Sequence, residues 1–292
     1  MGQIIQVAVF SPEDKCFVTN DGFVWCVGGH LGNGTNDSSS KPVPPHLMGR
    51  YNQVQMDSWG ACALRNDDKT VWCWGSNREG QIGDGTKDDT LRLTPVQGAL
   101  ALSGTVTSLT RGMYSTSVCA LTENGSLWCW GSGVLGNGVD WSWSAVPVKV
   151  NTPGVFVRLS SHGGSSQGGN TDCAIKDDHT VWCWGANNGA VGDGTKMAAK
   201  PVQVAGSAGK VAFVDVSVGE ERACALTDKG VLWCWGSEIT VDGQDAKSLP
   251  GSFSQVALGF AGTICAVKTD GTLWCWKNDA VANATQVPLA CP

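Results

Sequence analysis

The sequence has no run of basic residues, no apolar stretch approaching the ~20 residues of a membrane span, and no helical period of useful length. Its 20 Lys and Arg are scattered among 26 Asp and Glu, for a net charge of −6 and a pI near 5.1. The electrostatic footprint that phosphate binding requires is therefore missing, and neither nucleic acid nor membrane insertion is expected. The start, MGQIIQVAVFSPEDK, lacks the charged, apolar and small-residue segments of a signal peptide. It reads as a processed or engineered terminus, so it does not weigh against export.

Catalytic signatures are also scarce. There is no Gly-x-Ser-x-Gly elbow, Walker loop, dinucleotide fingerprint or His-Glu-x-x-His pair, and His30, His46, His162 and His179 fall apart from one another without metal spacing. Asp84 and Asp193 sit in Gly-Asp-Gly-Thr turns, but the spaced carboxylates and bidentate Glu of a calcium loop are absent. No cofactor and no metal are expected, and the chain is read as a non-enzyme. A hydrolase or lyase with carboxylates converging at an axial mouth stands as a rival.

What is present is repetition. One phrase recurs six times: CFVTNDGFVWCVGG from Cys16, CALRNDDKTVWCWG from Cys62, CALTENGSLWCWG from Cys119, CAIKDDHTVWCWG from Cys173, CALTDKGVLWCWG from Cys224 and CAVKTDGTLWCW from Cys265. The spacing varies between 41 and 57 residues, which suits a unit of four short strands with loops of unequal length. An alternating apolar stretch such as Val214, Val216, Val218 precedes each phrase. Gly-rich turns such as IGDGT at 82–86 and a Pro-Val segment such as Pro95-Val96 follow it. The expected organisation is a single domain over 1–292 with repeats at about 3–49, 50–101, 102–153, 154–207, 208–250 and 251–292.

Hairpin geometry sets the cysteine pairing. A three-residue loop, Glu123-Asn124-Gly125, brings Cys119 directly across from Cys129, with Gly125 at the left-handed position. The same registration pairs Cys16 with Cys26, Cys224 with Cys234 and Cys265 with Cys275. His179 takes the glycine place between Cys173 and Cys183, and the Cys62–Cys73 copy needs one more loop residue. Opposed Cα atoms lie roughly 4.5–5.5 Å apart, within disulfide reach. Zinc or free thiols remain as alternatives, although nine or ten residues between cysteines do not make a zinc knuckle. Each disulfide would contribute roughly 2–3 kcal/mol by the chain-entropy argument. Such pairs persist mainly in oxidising compartments, so an extracellular or cell-surface location is expected. Cys291 is left over, free or intermolecular, and Asn33, Asn36, Asn124 and Asn283 head sequons.

The phrase Cys-Ala-Leu-Thr-x-x-Gly-x-Leu-Trp-Cys-Trp-Gly, followed by Gly-Asp-Gly-Thr and Pro-Val, resembles the repeats of the regulator of chromosome condensation superfamily. The cysteine-paired variety is similar to bacterial extracellular members and, more distantly, to the ectodomain repeats of plant crinkly-type receptor kinases. The resemblance implies an all-β, six-bladed β-propeller of four-stranded antiparallel blades, one intra-blade disulfide in each. Relatives include a nucleotide exchange factor, a β-lactamase inhibitor and a light sensor. The acidic charge argues against the first role, and ten of the fourteen Trp flank the second cysteine in the last five phrases, which reads as core rather than as a light-absorbing array.

The inhibitor-type relative implies variable loops before the second strand of each blade, opening on one rim. On these loops, or near them, the candidate binding residues are Trp59, Arg111, Tyr114, His162, Glu221, Arg222 and Phe260, with Trp141 and Trp143 outside the periodic scheme. Trp, Tyr and Arg are the types enriched in binding hot spots. The expected function is an extracellular binding or assembly module that contacts a protein partner or further copies of itself. A carbohydrate-binding lectin, with glycan as its partner, is the first alternative.

Overall fold

The computed structural model describes residues 2–29, 31–45, 49–96, 104–112, 116–163, 170–186, 190–204, 211–237, 247–249, 251–259, 262–277 and 284–287. Tyr114, Phe260, Asn283 and Cys291 lie outside the described residues. Two compact units divide the chain, Met1–Val150 and Asn151–Pro292. Each contains three four-stranded antiparallel sheets, and every sheet is made from four consecutive strands.

In the first unit, blade 1 is Ile4–Val9 (β1), Lys15–Thr19 (β2), Val24–Gly28 (β3) and Ser39–Val43 (β4). Blade 2 is Tyr51–Met56 (β5), Gly60–Arg65 (β6), Val71–Gly75 (β7) and Thr90–Pro95 (β8). Blade 3 is Val106–Arg111 (β9), Ser117–Thr122 (β10), Leu127–Gly133 (β11) and Ser142–Lys149 (β12). In the second unit, blade 4 is Phe156–Gly163 (β13), Asn170–Lys176 (β14), Val181–Ala186 (β15) and Met197–Gln203 (β16). Blade 5 is Phe213–Val218 (β17), Arg222–Thr227 (β18), Leu232–Gly236 (β19) and Lys247–Leu249 (β20). Blade 6 is Phe253–Leu258 (β21), Thr263–Lys268 (β22), Leu273–Lys277 (β23) and Thr285–Val287 (β24). The chain is an all-β, six-bladed β-propeller by class.

All six expected cysteine pairs are joined. Register puts Cys16 opposite Cys26, Cys62 opposite Cys73, Cys119 opposite Cys129, Cys173 opposite Cys183, Cys224 opposite Cys234 and Cys265 opposite Cys275. Each pair is a disulfide with Cα atoms 4.1 Å apart. Such a short separation belongs to the non-hydrogen-bonded type of antiparallel pair, where side chains approach most closely.

The turn chemistry follows the sequence closely. Gly125 has φ of 74° and His179 takes the same left-handed conformation at 65°, while in the longer Cys62–Cys73 loop Lys69 does so at 56°. A polar relay braces three of these hairpins. Asp68 Oδ1 accepts from the Thr70 hydroxyl at 2.6 Å, and Thr70 Oγ1 accepts from Trp72 Nε1 at 2.9 Å. Asp178–Thr180–Trp182 and Asp270–Thr272–Trp274 repeat the arrangement. The Thr180 and Thr272 hydroxyls are the main reason that the carboxyls of Asp178 and Asp270 sit below the usual carboxylate range.

Within each unit, the core lies between blades. A bulge between Tyr51 and Gln53 shifts the alternation so that Tyr51, Val54 and Met56 share one face. That face packs on Cys16, Val18, Val24 and Cys26 of the preceding blade. Equivalent clusters join blades 2 and 3, 4 and 5, and 5 and 6. The disulfides are thus part of the inter-blade core, with both sulfur-bearing residues of blades 1 and 2 fully buried.

The two tryptophans of each Trp-Cys-Trp differ in role. Trp74, Trp130, Trp184 and Trp235 are fully buried, whereas Trp72, Trp128, Trp182 and Trp233, two residues earlier on the same strand face, are half-buried. Trp130 Nε1 donates to Gln81 O at 3.0 Å, and Trp235 Nε1 to Ala190 O at 2.9 Å, so each indole ties its blade to a turn of the one before. Gly83 in that turn has φ of 79°, and a Cβ there would lie 2.7 Å from Trp130 Nε1. Side-chain amides add a second tie. Gln6 bonds both the N–H and the C=O of Val54 at 2.9 Å, and Gln53 does the same to Leu109. In the second unit Ser160 and Ser217 Oγ accept from the N–H of Val218 and Leu258.

Candidate functional site

Antiparallel order puts the first-to-second and third-to-fourth strand connections of a blade at the same end. At that end of blades 2 and 3 there is an open cleft of about 360 Å³, lined by Trp59, Ser76, Arg78, Glu79, Gln81, Asp89 and Thr116. Trp59 comes from the β5–β6 connection, Thr116 from the β9–β10 connection, and the rest from the β7–β8 connection.

Trp59 is 51% exposed, yet its backbone is fixed. Asp57 Oδ1 accepts from the N–H groups of Trp59 at 2.7 Å and Gly60 at 2.9 Å. Asp57 Oδ2 accepts from Arg111 Nε at 2.5 Å, with both side chains wholly buried. On the other side, Trp59 O accepts from Ser76 N at 2.8 Å. Gly75 precedes that serine with φ of 111°, and a Cβ there would come 2.4 Å from Trp59 O, so the glycine of Trp-Cys-Trp-Gly is required for the close approach.

The β7–β8 connection is equally well braced. Asn77 is fully buried, its Oδ1 accepting from Ile82 N at 2.9 Å and its Nδ2 donating to Thr86 O at 3.1 Å. Asp89 Oδ1 accepts from Asn77 N at 2.7 Å and Asp84 Oδ1 from Thr86 N at 2.9 Å, the latter being turn chemistry. Gly85 N donates to Ala145 O of blade 3 at 2.8 Å. Arg78 stands exposed on this frame and makes no ion pair among the described residues. The geometry offers an aromatic face and a free guanidinium, flanked by the carboxylates of Glu79 and Asp89.

The other exposed tryptophans belong to the same end of blade 3. Lys87 Nζ lies 3.8 Å from the ring centroid of Trp143, a cation–π contact between blades 2 and 3. Trp141 is exposed and has φ of 45°, a conformation that bulky residues rarely adopt and that is found disproportionately at functional positions.

Three other residues expected on the rim turn inward. Arg111 is the last residue of β9 and lies at the position of Met56 in β5, so it faces the blade junction and meets Asp57. Arg222 opens β18, is buried, and donates from Nε to Ser237 O at 2.7 Å. His162 is buried within the extended β13, near Asn170, Thr171 and Asp172. Glu221 is half-buried on the β17–β18 connection. Sequence reasoning missed Arg78, Glu79, Gln81 and Asp89, which stand in a polar turn that gave no binding signal of its own. Among the described residues, no group of three or more His, Cys, Asp or Glu side chains is arranged to hold a metal ion.

Comparisons with known proteins agree with the repeats. The family model of the regulator of chromosome condensation (RCC1) repeat matches residues 58–81, 178–226 and 213–244. Mouse E3 ubiquitin-protein ligase HERC2 is 29% identical over 207 residues, covering 65% of this chain and 4% of that protein. The human RCC1-like G exchanging factor-like protein is 27% identical over 207 residues, covering 66% of this chain and 43% of its own length. The chain therefore spans less than half the length of these relatives. Human WBSCR16 superposes with a TM-score of 0.78 at 17% identity, covering 94% of this chain and 76% of that one. Yeast RCC1 (Prp20), solved with Kap60, gives 0.73 at 19%, covering 94% and 69%. The crinkly ectodomain of the Arabidopsis receptor kinase ACR4 gives 0.56 at 16%, covering 95% and 86%. At these identities the likeness is one of fold, that of a β-propeller, and the regulator of chromosome condensation repeat is matched over part of the chain, in blade 2 and across blades 4 and 5.

Proposed function

We propose that this chain is a non-catalytic protein-binding module of the extracellular space or cell surface, and that it grips its partner at the loop end of blades 2 and 3. The observation that carries the proposal is the pairing of an exposed Trp59 indole with an exposed Arg78 guanidinium across one cleft, both mounted on hydrogen-bonded loops. Trp offers a large apolar face with only two rotatable side-chain bonds, and the planar Arg fork matches a carboxylate, and both types are enriched in hot spots. A peptide segment that offers a carboxylate to Arg78 and an apolar side chain to Trp59 fits the cleft. A propeller of the same fold, yeast RCC1 (Prp20), has been seen bound to Kap60, which supports protein contact as a use of this scaffold. Six disulfides, one in each blade, support an oxidising setting.

Selection of peptides from a random display library against the immobilised, oxidised protein tests this reading. Selected peptides should carry an acidic residue, and Trp59→Ala or Arg78→Ala should weaken their binding about tenfold or more. Peptides that bind both variants as well as the parent protein would contradict the proposal. Signal on a glycan array, lost in Trp59→Ala, would replace it with the lectin reading.

A further inference from the structure

Gln81 lines the Trp59 cleft and is only 2% exposed. Its backbone is held by Gly80 N donating to Asn77 O at 2.8 Å, by Gly83 N donating to Gly80 O at 3.0 Å, and by Trp130 Nε1 donating to its own carbonyl. Its side-chain Oε1 accepts from Glu79 N at 3.0 Å. That bond fixes the orientation of the amide, so Nε2 faces the other way. Among the described residues Nε2 donates to no protein group. A nearly buried amide donor without an acceptor is costly to keep, and it marks a place where an acceptor from outside is received.

The fold does not require an amide at this position. Ala190 holds the equivalent place in blade 4, its carbonyl receiving Trp235 Nε1 as that of Gln81 receives Trp130 Nε1. Val134 precedes the matching Leu-Gly-Asn-Gly turn of blade 3. Small or apolar side chains therefore suit the turn, and the polar one in blade 2 coincides with the cleft.

The charges around Gln81 narrow what it receives. Arg78, three residues earlier on the same connection, is exposed at the rim, and Glu79 and Asp89 line the cleft beside it. A planar carboxylate can take the Arg78 fork on one oxygen and an amide N–H on the other. A phosphate dianion would face two carboxylates with a single cation to offset them. Trp59 and Arg78 stand at the mouth while Gln81 lies within, which suits a long acidic side chain reaching inward from a peptide that passes over the rim.

We propose that Gln81 is the specificity-determining residue of this cleft, its Nε2 donating to the carboxylate of a glutamate side chain that also meets Arg78. The inference rests on the peptide-binding reading above and names the group that the cleft selects.

Two amidated peptide libraries, alike except for a fixed central Glu in one and Gln in the other, test it on the oxidised protein. The parent protein should retain the Glu library tenfold or more over the Gln library, roughly the worth of a charge-assisted hydrogen bond. Gln81→Glu keeps an acceptor for Glu79 N but turns a carboxylate oxygen to the cleft, and it should abolish or reverse that preference. Gln81→Ala, which copies Ala190, should reduce the preference severalfold while binding still depends on Trp59. If Gln81→Glu loses the parent's melting behaviour, Gln81→Ala decides alone. An undiminished preference for Glu in the folded variants would overturn the role of Gln81 and leave the cleft reading standing. Retention that survives both Trp59→Ala and Arg78→Ala, or no retention of either library, would instead sink the cleft reading. Peptides that bind only with a free C-terminus, their amidated forms being inert, would overturn the choice of a glutamate side chain.

Discussion

Arg111 and Asp57 form a wholly buried ion pair, 2.5 Å from Nε to Oδ2, between the last residue of one blade's first strand and the turn of the blade before. Because the other oxygen of Asp57 receives the backbone N–H of Trp59, the pair sits directly behind the exposed indole. Its role is to fix the loop that carries Trp59.

Removing either partner strands the other as a buried charge. Arg111→Ala or Asp57→Ala should therefore cost about 3–5 kcal/mol in denaturant unfolding. A loss below about 1 kcal/mol would show that water reaches the pair. Arg111→Met, which fills the space, should also weaken peptide capture at Trp59 by loosening its turn.

The indole tie at the blade 2–3 junction can be separated from its packing. Trp130→Phe keeps much of the buried area but deletes the hydrogen bond to Gln81 O, and should cost about 1–3 kcal/mol, most of it the unsatisfied carbonyl and the lost ring. Trp130→Ala should cost about 3–5 kcal/mol. Equal losses in thermal or denaturant melts of the two variants would contradict the tie.

Much of this was legible in the sequence because its causes are local. Hairpin register, disulfide pairing and the left-handed positions of Gly125 and His179 follow from residues eleven apart or closer. The cleft was not legible, because Trp59 and Arg78 meet only after two connections fold to the same end. Arg111 stands in a stretch, Thr-Arg-Gly, that resembles a loop start, and nothing in the sequence shows that β9 runs through it. Its partner lies 54 residues away.

Asp172 gives the second unit a pH dependence. It is fully buried, and burial pushes its carboxyl up to about 7, against the opposing hydrogen bonds from Ser161 and Asn170. The folded state thus holds a proton that the unfolded chain releases near pH 4. Stability contributed by the protonated form should be complete below that pH and be lost as pH rises towards about 7, a fall on the order of a few kcal/mol. Unfolding midpoints of Asp172→Asn should lack this fall, and a parent protein equally stable at pH 5 and pH 8 would contradict it.

Gln53→Ala should lower stability by about 1–3 kcal/mol, since it leaves both backbone groups of Leu109 without their amide partner inside the blade junction. Amide exchange at Leu109 provides the site-specific check, with faster exchange expected in the variant and an unchanged rate counting against the bridge.

The central claim is a set of blades each locked by its own disulfide and used outside the reducing cytosol. Peptide mapping under non-reducing conditions, on protein taken from its native source, tests it most directly. The account predicts six links, Cys16 to Cys26, Cys62 to Cys73, Cys119 to Cys129, Cys173 to Cys183, Cys224 to Cys234 and Cys265 to Cys275. Free thiols at these positions, or links between different blades, would contradict it.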